Sequence, residues 1–282
     1  MTEVYVASAF TKNGKGGNRA GVVLNRSDLT AAQKKQIAKT LGFSETAFVM
    51  FSDTADYRLE YFTPAEEVPL CGHATVAAFT VLHRLDLLRK QECTIETKAG
   101  KLRIKVSAEG EIFMEQNCPV YSEILAGEMM ENCFVQSYLD KNLPVQIVST
   151  GLEDIIMPVD SVEHLAQLEP NFDGISDLSR EKSAVGIHAF ALSEDKNMTA
   201  VCRNFAPLVG IDEESATGTA NCALACHLFR YHEKKTQYVF EQGYNLRAVS
   251  RIVVNLVSHE DIIDAVFVGG YGYMVCQKTL SL

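Results

Sequence analysis

The chain has 282 residues, of which 47% are apolar and 22% charged, a composition typical of a folded protein with one large or two modest domains. The 26 basic and 36 acidic residues give a formal net charge of −10, which argues against binding to nucleic acid or to an anionic membrane. No apolar stretch approaches the roughly 20 residues that span a bilayer, and residues 1–3 lack the basic start of a signal peptide. We therefore predict a soluble, cytoplasmic protein.

The first half of the chain combines short strands with few helices. A polar start and apolar spacing at Ile37, Ala38 and Leu41 predict a helix that Gly42 ends. Alternating apolar residues and turn signals predict the strands around it. In chain order we predict strand 4–10, a glycine-rich turn at 13–17, strand 22–24, helix 31–41, and strands 44–51 and 56–62.

One segment of the chain occurs twice. F-T-P at residues 62–64, an acidic loop and C-G-H-A-T at 71–75 recur as F-A-P at 205–207, a second acidic loop and T-G-T-A at 217–220. A weaker echo relates residues 45–49 to 187–191. Because internal repeats report repeated structural units, we interpret the chain as two copies of one α/β unit.

Each copy continues into an alanine-rich segment, residues 74–88 and 220–231, that is apolar on nearly all sides. A helix of this kind must be buried on all sides. Both predicted helices follow loops, so their free N–H groups and positive dipole ends could face a shared cleft. Such a cleft would suit a small substrate that carries a carboxylate.

The eight cysteines include no C-x-x-C pair and no dense framework, so reduced thiols are expected. Cys222 and Cys226, with His227 beside Cys226, suggest a zinc site, but no second pair of ligands follows at a matching interval. We therefore predict no metal there and interpret these cysteines as small apolar residues of a buried helix.

Taken together, these motifs resemble the PhzF family of phenazine biosynthesis over nearly the whole chain. The motifs are G-N at 17–18 with A-G-V at 20–22, E-T-A-F-V at 45–49, F-T-P at 62–64, C-G-H-A-T at 71–75, Gly210 with residues 213–220, Q-G at 242–243 and G-G at 269–270.

The resemblance implies an α/β (α+β) diaminopimelate-epimerase-like fold. This fold has two pseudo-symmetric domains, each a mostly antiparallel sheet around a central apolar helix, with the active site between them. By the same analogy, the first domain comprises residues 1–117 and about 266–282, including a C-terminal strand that returns to it, and the second comprises 118–265. The resemblance also implies a homodimer and no cofactor.

The resemblance further implies a set of site residues. Glu45 matches a glutamate that moves a proton in an isomerisation, and His73 matches a histidine that assists it. Glu214 and Thr219 fall where the family has an aspartate and a serine. The remaining expected substrate-binding residues are Cys71, Gly72, Thr217 and Gly218.

Several positions depart from the family pattern. Ser215 stands where the family has proline, Ala248 where it has arginine, and Arg19 where it has proline. These changes leave the reaction type in place and leave the natural substrate open.

Residue chemistry alone leaves simpler interpretations open. Glu45 either has the raised pKa of a general acid or base held near an apolar strand or simply faces solvent. His73 either shuttles a proton or caps a helix, and Thr219 either binds a carboxylate or is an ordinary cap. Glu214 either ligates a substrate amine or complements a helix dipole. His188, near the echo of Glu45, is interpreted as a core histidine.

Three functions follow from these residues. The favoured one is a cofactor-independent isomerase that moves a proton on a small carboxylate-bearing substrate. The second is an amino-acid racemase or epimerase acting through Cys71, which is disfavoured because the repeat places Thr217, not a thiol, at the matching position. The third is a protein that binds a small molecule without turning it over.

Overall fold

A computed structural model of the protein describes residues 1–25 and 28–281. The chain divides into two compact units: unit 1 comprises Met1–Glu115 and Gly269–Leu282, and unit 2 comprises Gln116–Val268. The boundaries expected after residues 117 and 265 lie within a few residues of this division. It stays a prediction that each unit is a separate folding domain. Within the described ranges, no helix has the length and apolar character needed to cross a bilayer.

Unit 1 is built from strands that surround a single buried helix. Its elements are β1 (Thr2–Ala9), β2 (Asn18–Leu24), α1 (Ala31–Leu41), β3 (Thr46–Met50), β4 (Tyr57–Phe62), β5 (Glu67–Val68), α2 (Gly72–Arg84), β6 (Glu92–Thr97), β7 (Gly100–Val106) and β8 (Glu111–Gln116).

Unit 2 follows the same plan with one additional α-helix and two short 3-10 segments. Its elements are β9 (Val120–Leu125), a 3-10 helix (Gly127–Asn132), β10 (Val145–Ser149), β11 (Glu153–Pro158), α3 (Val162–Gln167), α4 (Phe172–Lys182), β12 (Ile187–Leu192), β13 (Ala200–Ala206), a 3-10 turn (Pro207–Val209), β14 (Ile211–Glu214), α5 (Gly218–Tyr231), β15 (Gln237–Gln242), β16 (Ser250–His259) and β17 (Ile262–Tyr271). The last three residues of β17 and the final strand, β18 (Tyr273–Leu280), belong to unit 1.

Local sequence signals determine the ends of helix α1, as predicted. The Thr30 side chain accepts a hydrogen bond from the Gln33 backbone N–H, and the Gln33 side chain accepts one from the Thr30 N–H at 2.9 Å. This reciprocal pair is a capping box. Gly42 ends the helix in the left-handed conformation at φ 71°, which glycine adopts at little cost.

Helix α2 is the central element of unit 1. It packs against β1, β2, β3 and β18, and every side chain from His73 to Leu82 is buried. The predicted helix, residues 74–88, was too long. The observed helix ends at Arg84 because Asp86 turns left-handed at φ 56° and the Leu87 N–H donates back to Leu82 O at 2.9 Å, the pattern of a Schellman cap.

The two units share their strand pairings. In unit 1, β2 and β3 are parallel and β3 and β4 antiparallel; in unit 2, β11 and β12 are parallel and β12 and β13 antiparallel. Strand β18 pairs with β1, and β9 pairs correspondingly with β10. Helix α5 packs against β10, β11 and β12, which correspond to the strands β1, β2 and β3 that contact α2, and it also packs against β16.

The strand register corrects the echo that the sequence suggested around Glu45. Thr46 pairs with Phe62, and Ile187 pairs with Phe205, the phenylalanine of the second copy. The Glu45 carbonyl accepts the N–H of the neighbouring parallel strand, as the Gly186 carbonyl does in unit 2. The counterpart of Glu45 is therefore Gly186 rather than Ile187. The sequence comparison was one residue out of step because it aligned Ala-Phe at 47–48 with Ala-Phe at 189–190.

Candidate functional site

The candidate site in unit 1 lies where helix α2 begins. Glu45 is the last residue before β3, and Cys71 is the N-cap of α2. His73 lies in the first helical turn, two residues after Cys71, so its imidazole turns back toward the loop that carries Glu45. The chain thus places a carboxylate, a thiol and an imidazole at one end of a buried helix.

The three side chains converge on the His73 ring. Nε2 of His73 lies 3.2 Å from Glu45 Oε2, and Nδ1 lies 3.4 Å from Cys71 Sγ. The exposed Ser44 hydroxyl is 3.4 Å from the same Nε2. Cys71 and His73 are buried, and the Glu45 side chain is 20% exposed. Glu45 is therefore neither a solvent-facing strand residue nor isolated from solvent.

The pKa of Glu45 is shifted in the direction opposite to the expected one. Burial of the carboxyl favours its neutral form, but the close contact with His73 and the positive charge of that ring, with polar contacts from Ser44 and Cys71, outweigh burial and lower the pKa. The expectation of a raised pKa was wrong because it considered the apolar strand and not the imidazole beside it. Glu45 is ionised at neutral pH and is therefore available as a base.

The pKa values of His73 and Cys71 follow from the same contacts. Burial works against the charged imidazole, but Cys71 and Glu45 raise the His73 pKa well above its usual value. Burial raises the pKa of the Cys71 thiol, with the Glu45 charge acting in the same direction and His73 opposing it. With the Cys71 thiol neutral, the contact with the Glu45 carboxylate is what favours the His73 imidazolium.

A chain of hydroxyl groups beneath the site fixes the start of α2. The Thr75 hydroxyl donates to the Cys71 carbonyl at 2.8 Å, and the buried Tyr61 hydroxyl lies 2.6 Å from Thr75 Oγ1. Since buried polar groups must be paired, these bonds hold the Cys71 backbone, and with it the first turn that carries His73.

The residues expected to bind substrate in unit 2 lie at the start of α5. Thr217 is the N-cap, and its hydroxyl donates to Glu214 Oε2 at 2.6 Å. The Gln242 amide donates to the Glu214 backbone carbonyl at 2.7 Å and to Thr217 Oγ1 at 3.1 Å. Gly218 and Thr219 follow in the first turn, and the Thr219 carbonyl accepts a hydrogen bond from Thr150.

Both buried helices begin without a side-chain cap. Neither the Cys71 nor the Thr217 side chain makes a capping hydrogen bond to a backbone N–H in the first turn of its helix. The capping interpretations of His73 and Thr219 also do not apply, because both residues lie inside the helices. Uncapped first turns leave N–H groups and the positive end of the dipole available to an anion, which is the chemistry expected for a carboxylate.

The ion pair of unit 1 has no equivalent in unit 2. Gly186 occupies the position of Glu45, Thr217 that of Cys71 and Thr219 that of His73. A Cβ at Gly186 would lie 2.0 Å from the Phe205 carbonyl oxygen, so the backbone leaves no room for a side chain there. The titratable cluster is confined to one copy of the repeat.

Two further groups of unit 2 were not predicted as site residues. Asp154, in β11, is 3% exposed, and its Oδ2 has no hydrogen-bond partner. Burial, with the negative charge of Glu214, raises the pKa of Asp154 to about 8.

The second group is an ion pair. Arg203 makes a buried bidentate ion pair with Glu213, at 3.0 and 2.9 Å, which fixes the strand before the Thr217 turn. Nothing in the local sequence distinguishes either group from surface charges.

His188 is a core histidine, as interpreted from the sequence. Its ring is fully buried and its Nδ1 lies 3.0 Å from Asn204 Oδ1. Burial lowers the pKa of His188 to about 4, so the ring is neutral.

The cysteines of α5 and Cys71 of unit 1 differ in whether other possible metal ligands lie beside them. Cys222 and Cys226 are buried, burial raises their pKa values, and Nε2 of the neighbouring His227 lies 3.0 Å from the Pro144 carbonyl oxygen. Among the described residues, the cluster suited to hold a metal ion comprises Glu45, Cys71 and His73, whose ligand atoms lie within 4.8 Å of one another.

Comparison with known proteins identifies the family. The model of the phenazine biosynthesis-like protein family, PhzC-PhzF, matches residues 7–278. The chain is 35% identical over 240 residues to a protein of Escherichia coli (strain K12) named "Uncharacterized isomerase YddE", covering 82% of this chain and 80% of that protein. The crystal structure of the Bacillus anthracis phenazine biosynthesis protein of the PhzF family superposes with a TM-score of 0.90 at 30% identity, over 100% of this chain and 99% of the other.

A more distant structure shows how far the fold extends. A probable proline racemase from Agrobacterium radiobacter K84 shares the fold at a TM-score of 0.62 and 12% identity, over 100% of this chain and 93% of that one. The α/β, diaminopimelate-epimerase-like fold expected from the sequence is thereby confirmed. With the family model spanning nearly the whole chain and relatives named as isomerases, this chain belongs to the phenazine biosynthesis-like family and is an isomerase.

Proposed function

We propose that the protein is a cofactor-independent isomerase that moves a proton between two carbons of a small, carboxylate-bearing substrate. Glu45 removes a proton from one carbon, and the electron pair of the broken C–H bond moves into an adjacent unsaturated system. Glu45 then returns a proton to a second carbon on the same face. No atom or electron is gained or lost, so the reaction needs no co-reactant.

The observation that carries this proposal is the single Glu45–His73 ion pair. An ionised carboxylate can accept a proton at neutral pH, and the imidazolium beside it stabilises the negative charge that develops on the substrate. The half-buried position of Glu45 lets a substrate reach it while limiting solvation by water. His73 thus has two roles in the proposal: it keeps Glu45 ionised, and it offers positive charge at the reacting centre.

The asymmetry of the two units supports a one-base reaction over a racemase. Racemisation needs acid and base groups on opposite faces of one carbon, and the matching residues of unit 2 are Gly186, Thr217 and Thr219. A threonine hydroxyl without an adjacent base does not replace a thiolate. Cys71 is also a neutral thiol, which makes it a poor base in the resting protein.

For substrate binding, the proposal uses the uncapped helix starts. The N–H groups around Gly72 and Gly218 suit a carboxylate. Thr217 and Thr219 supply hydroxyl groups, and Glu214 supplies an acceptor for a substrate donor. Glu214 is one methylene longer than the aspartate of the family and Thr219 carries one methyl more than its serine, so these two side chains give the binding site a different shape and leave the natural substrate open. We further propose that the protein acts as a homodimer in the cytoplasm, on the family resemblance alone.

The test is proton exchange followed by nuclear magnetic resonance in deuterated water. The wild type is incubated with the phenazine precursor dihydrohydroxyanthranilate and with a panel of small unsaturated and amino carboxylates. Glu45→Gln keeps the shape of the side chain and removes the base, whereas Glu66→Gln makes the same change at an exposed glutamate. We expect isomerised, deuterated product from the wild type and Glu66→Gln and none from Glu45→Gln.

Two outcomes would overturn the proposal. Turnover by Glu45→Gln at the wild-type rate would remove the assigned base, and loss of α-proton exchange in Cys71→Ser with Glu45→Gln still active would favour the racemase. Ligands that raise the melting temperature without exchanging a proton would instead favour a binding protein.

A further inference from the structure

The Glu45, Cys71 and His73 side chains have the spacing of ligands around a metal ion. Nε2 of His73 lies 3.2 Å from Glu45 Oε2 and 3.9 Å from Cys71 Sγ, and the three ligand atoms lie within 4.8 Å of one another. In a tetrahedral zinc site, bonds of about 2.0 Å to nitrogen and oxygen and about 2.3 Å to sulfur place the ligand atoms about 3.3 to 3.7 Å apart. Small side-chain rotations would bring these three atoms onto a common centre.

One oxygen of the Glu45 carboxylate, Oε2, lacks a hydrogen bond. Glu45 Oε2 is buried and within 3.2 Å of Nε2, but the pair lacks hydrogen-bond geometry, and the oxygen has no hydrogen-bond partner. A buried, charged oxygen in this state is costly. A cation centred between Oε2, Nε2 and Sγ would neutralise it directly, with Ser44 Oγ, 3.4 Å from Nε2, or a water molecule at the fourth position.

The donor set determines which cations fit. A thiolate and an imidazole prefer Zn²⁺ and similar borderline ions, whereas Mg²⁺ and Ca²⁺ require oxygen ligands. Three protein ligands with one open position match the arrangement of an accessible zinc site rather than a closed structural one. The cysteines of α5 offer no such set, because the nearby His227 Nε2 already faces the Pro144 carbonyl oxygen.

We propose that Glu45, Cys71 and His73 form a binding site for Zn²⁺ and that the bound ion inhibits the isomerase. Binding converts the Cys71 thiol to a thiolate and the His73 imidazolium to a neutral imidazole, and both protons are released to solvent. The ion occupies the Glu45 oxygen that would accept the substrate proton. The binding site depends only on the three ligands, whereas the inhibition rests on the proposed function.

The experiment uses Co²⁺ as a coloured substitute for Zn²⁺ on the full chain. We expect one Co²⁺ per chain, with the intense d–d bands of a tetrahedral ion and a thiolate-to-cobalt charge-transfer band. Adding Zn²⁺ should abolish both signals, and adding Mg²⁺ should leave them unchanged. Cys118→Ser, which removes an exposed thiol of unit 2, is the matched control and should keep the signals.

The variants separate binding at the cluster from binding elsewhere. Cys71→Ser should lose the charge-transfer band, and His73→Gln should lose the tetrahedral d–d intensity, each with a wild-type circular dichroism spectrum. If Cys71→Ser unfolds, Glu45→Gln provides the independent test and should weaken Co²⁺ binding at least about tenfold, by analogy with the loss of other metal-site partners. A wild type without tetrahedral bands, or a Cys71→Ser protein that keeps the charge-transfer band, would overturn the site.

The inhibition is tested separately from the binding. Stoichiometric Zn²⁺ should stop proton exchange by the wild type, and a chelator should restore it. Full exchange activity with Co²⁺ or Zn²⁺ bound would overturn the inhibitory role and leave the site standing. Absence of exchange on every substrate would count against the proposed function and would not affect the spectroscopic result.

Discussion

Replacing Asp154 by asparagine should remove a large part of the pH dependence of stability. Asp154 is buried, its Oδ2 has no hydrogen-bond partner, and burial with the Glu214 charge raises its pKa from the ordinary 3.8 to about 8. Asparagine resembles the neutral carboxylic acid in size but cannot ionise. The comparison therefore isolates the cost of ionising one buried group.

The sign follows from proton binding. Between the two pKa values the folded protein holds a proton on Asp154 and the unfolded chain does not, so the free energy of unfolding falls as the pH rises through this window. The slope is about 1.4 kcal/mol per pH unit, which amounts to about 3 kcal/mol between about pH 5 and pH 7. Below the unfolded pKa the contribution is fully present, and above the folded pKa it is lost.

The assay is urea unfolding of wild type and Asp154→Asn at several pH values between 5 and 8. The wild type should lose stability relative to the variant by about 3 kcal/mol from about pH 5 to pH 7. Asp53→Asn, at an exposed aspartate, should leave the wild-type profile unchanged. Parallel profiles for wild type and Asp154→Asn would refute the reasoning, because they would mean that Asp154 is already ionised in the folded protein.

Three further substitutions test the packing that positions the site. Gly186→Ala should destabilise unit 2 by several kcal/mol in thermal unfolding, because its Cβ would lie 2.0 Å from the Phe205 carbonyl oxygen; a wild-type melting temperature would contradict this. Arg203→Met should cost about 3 to 5 kcal/mol in urea unfolding by leaving Glu213 buried and unpaired, and the double change with Glu213→Gln should recover part of it. Tyr61→Phe should lower the free energy of unfolding by about 1 kcal/mol in the same measurement, because it removes a buried hydrogen bond to the Thr75 hydroxyl. An unchanged free energy of unfolding would mean that this hydrogen bond is not formed.

The sequence was sufficient for features that depend on local signals and repetition. Helix α1 was predicted with its ends because Thr30 and Gly42 determine them locally. The two buried helices were found because the motif around Gly72 recurs around Gly218. The family resemblance then brought Glu45 and His73 together, and the structure places their side chains 3.2 Å apart.

The features that the sequence did not predict depend on tertiary contacts. The pKa of Glu45 was expected to rise because the strand after it is apolar, but the neighbouring imidazole determines the direction. The echo of Glu45 was aligned one residue out of step because only strand pairing reveals Gly186 as its counterpart. Asp154 was missed because a single aspartate in a strand gives no local sign that both faces of that strand are covered.

The pH dependence of proton exchange tests most directly the claim that His73 keeps Glu45 ionised as the base. In the wild type, activity should fall on the acid side only below the ordinary glutamate pKa of 4.5, because the His73 contact lowers the pKa of Glu45. In His73→Gln the opposing effect of burial then dominates, so the acid limb should move to higher pH. An acid limb at the same pH in both proteins would contradict the account.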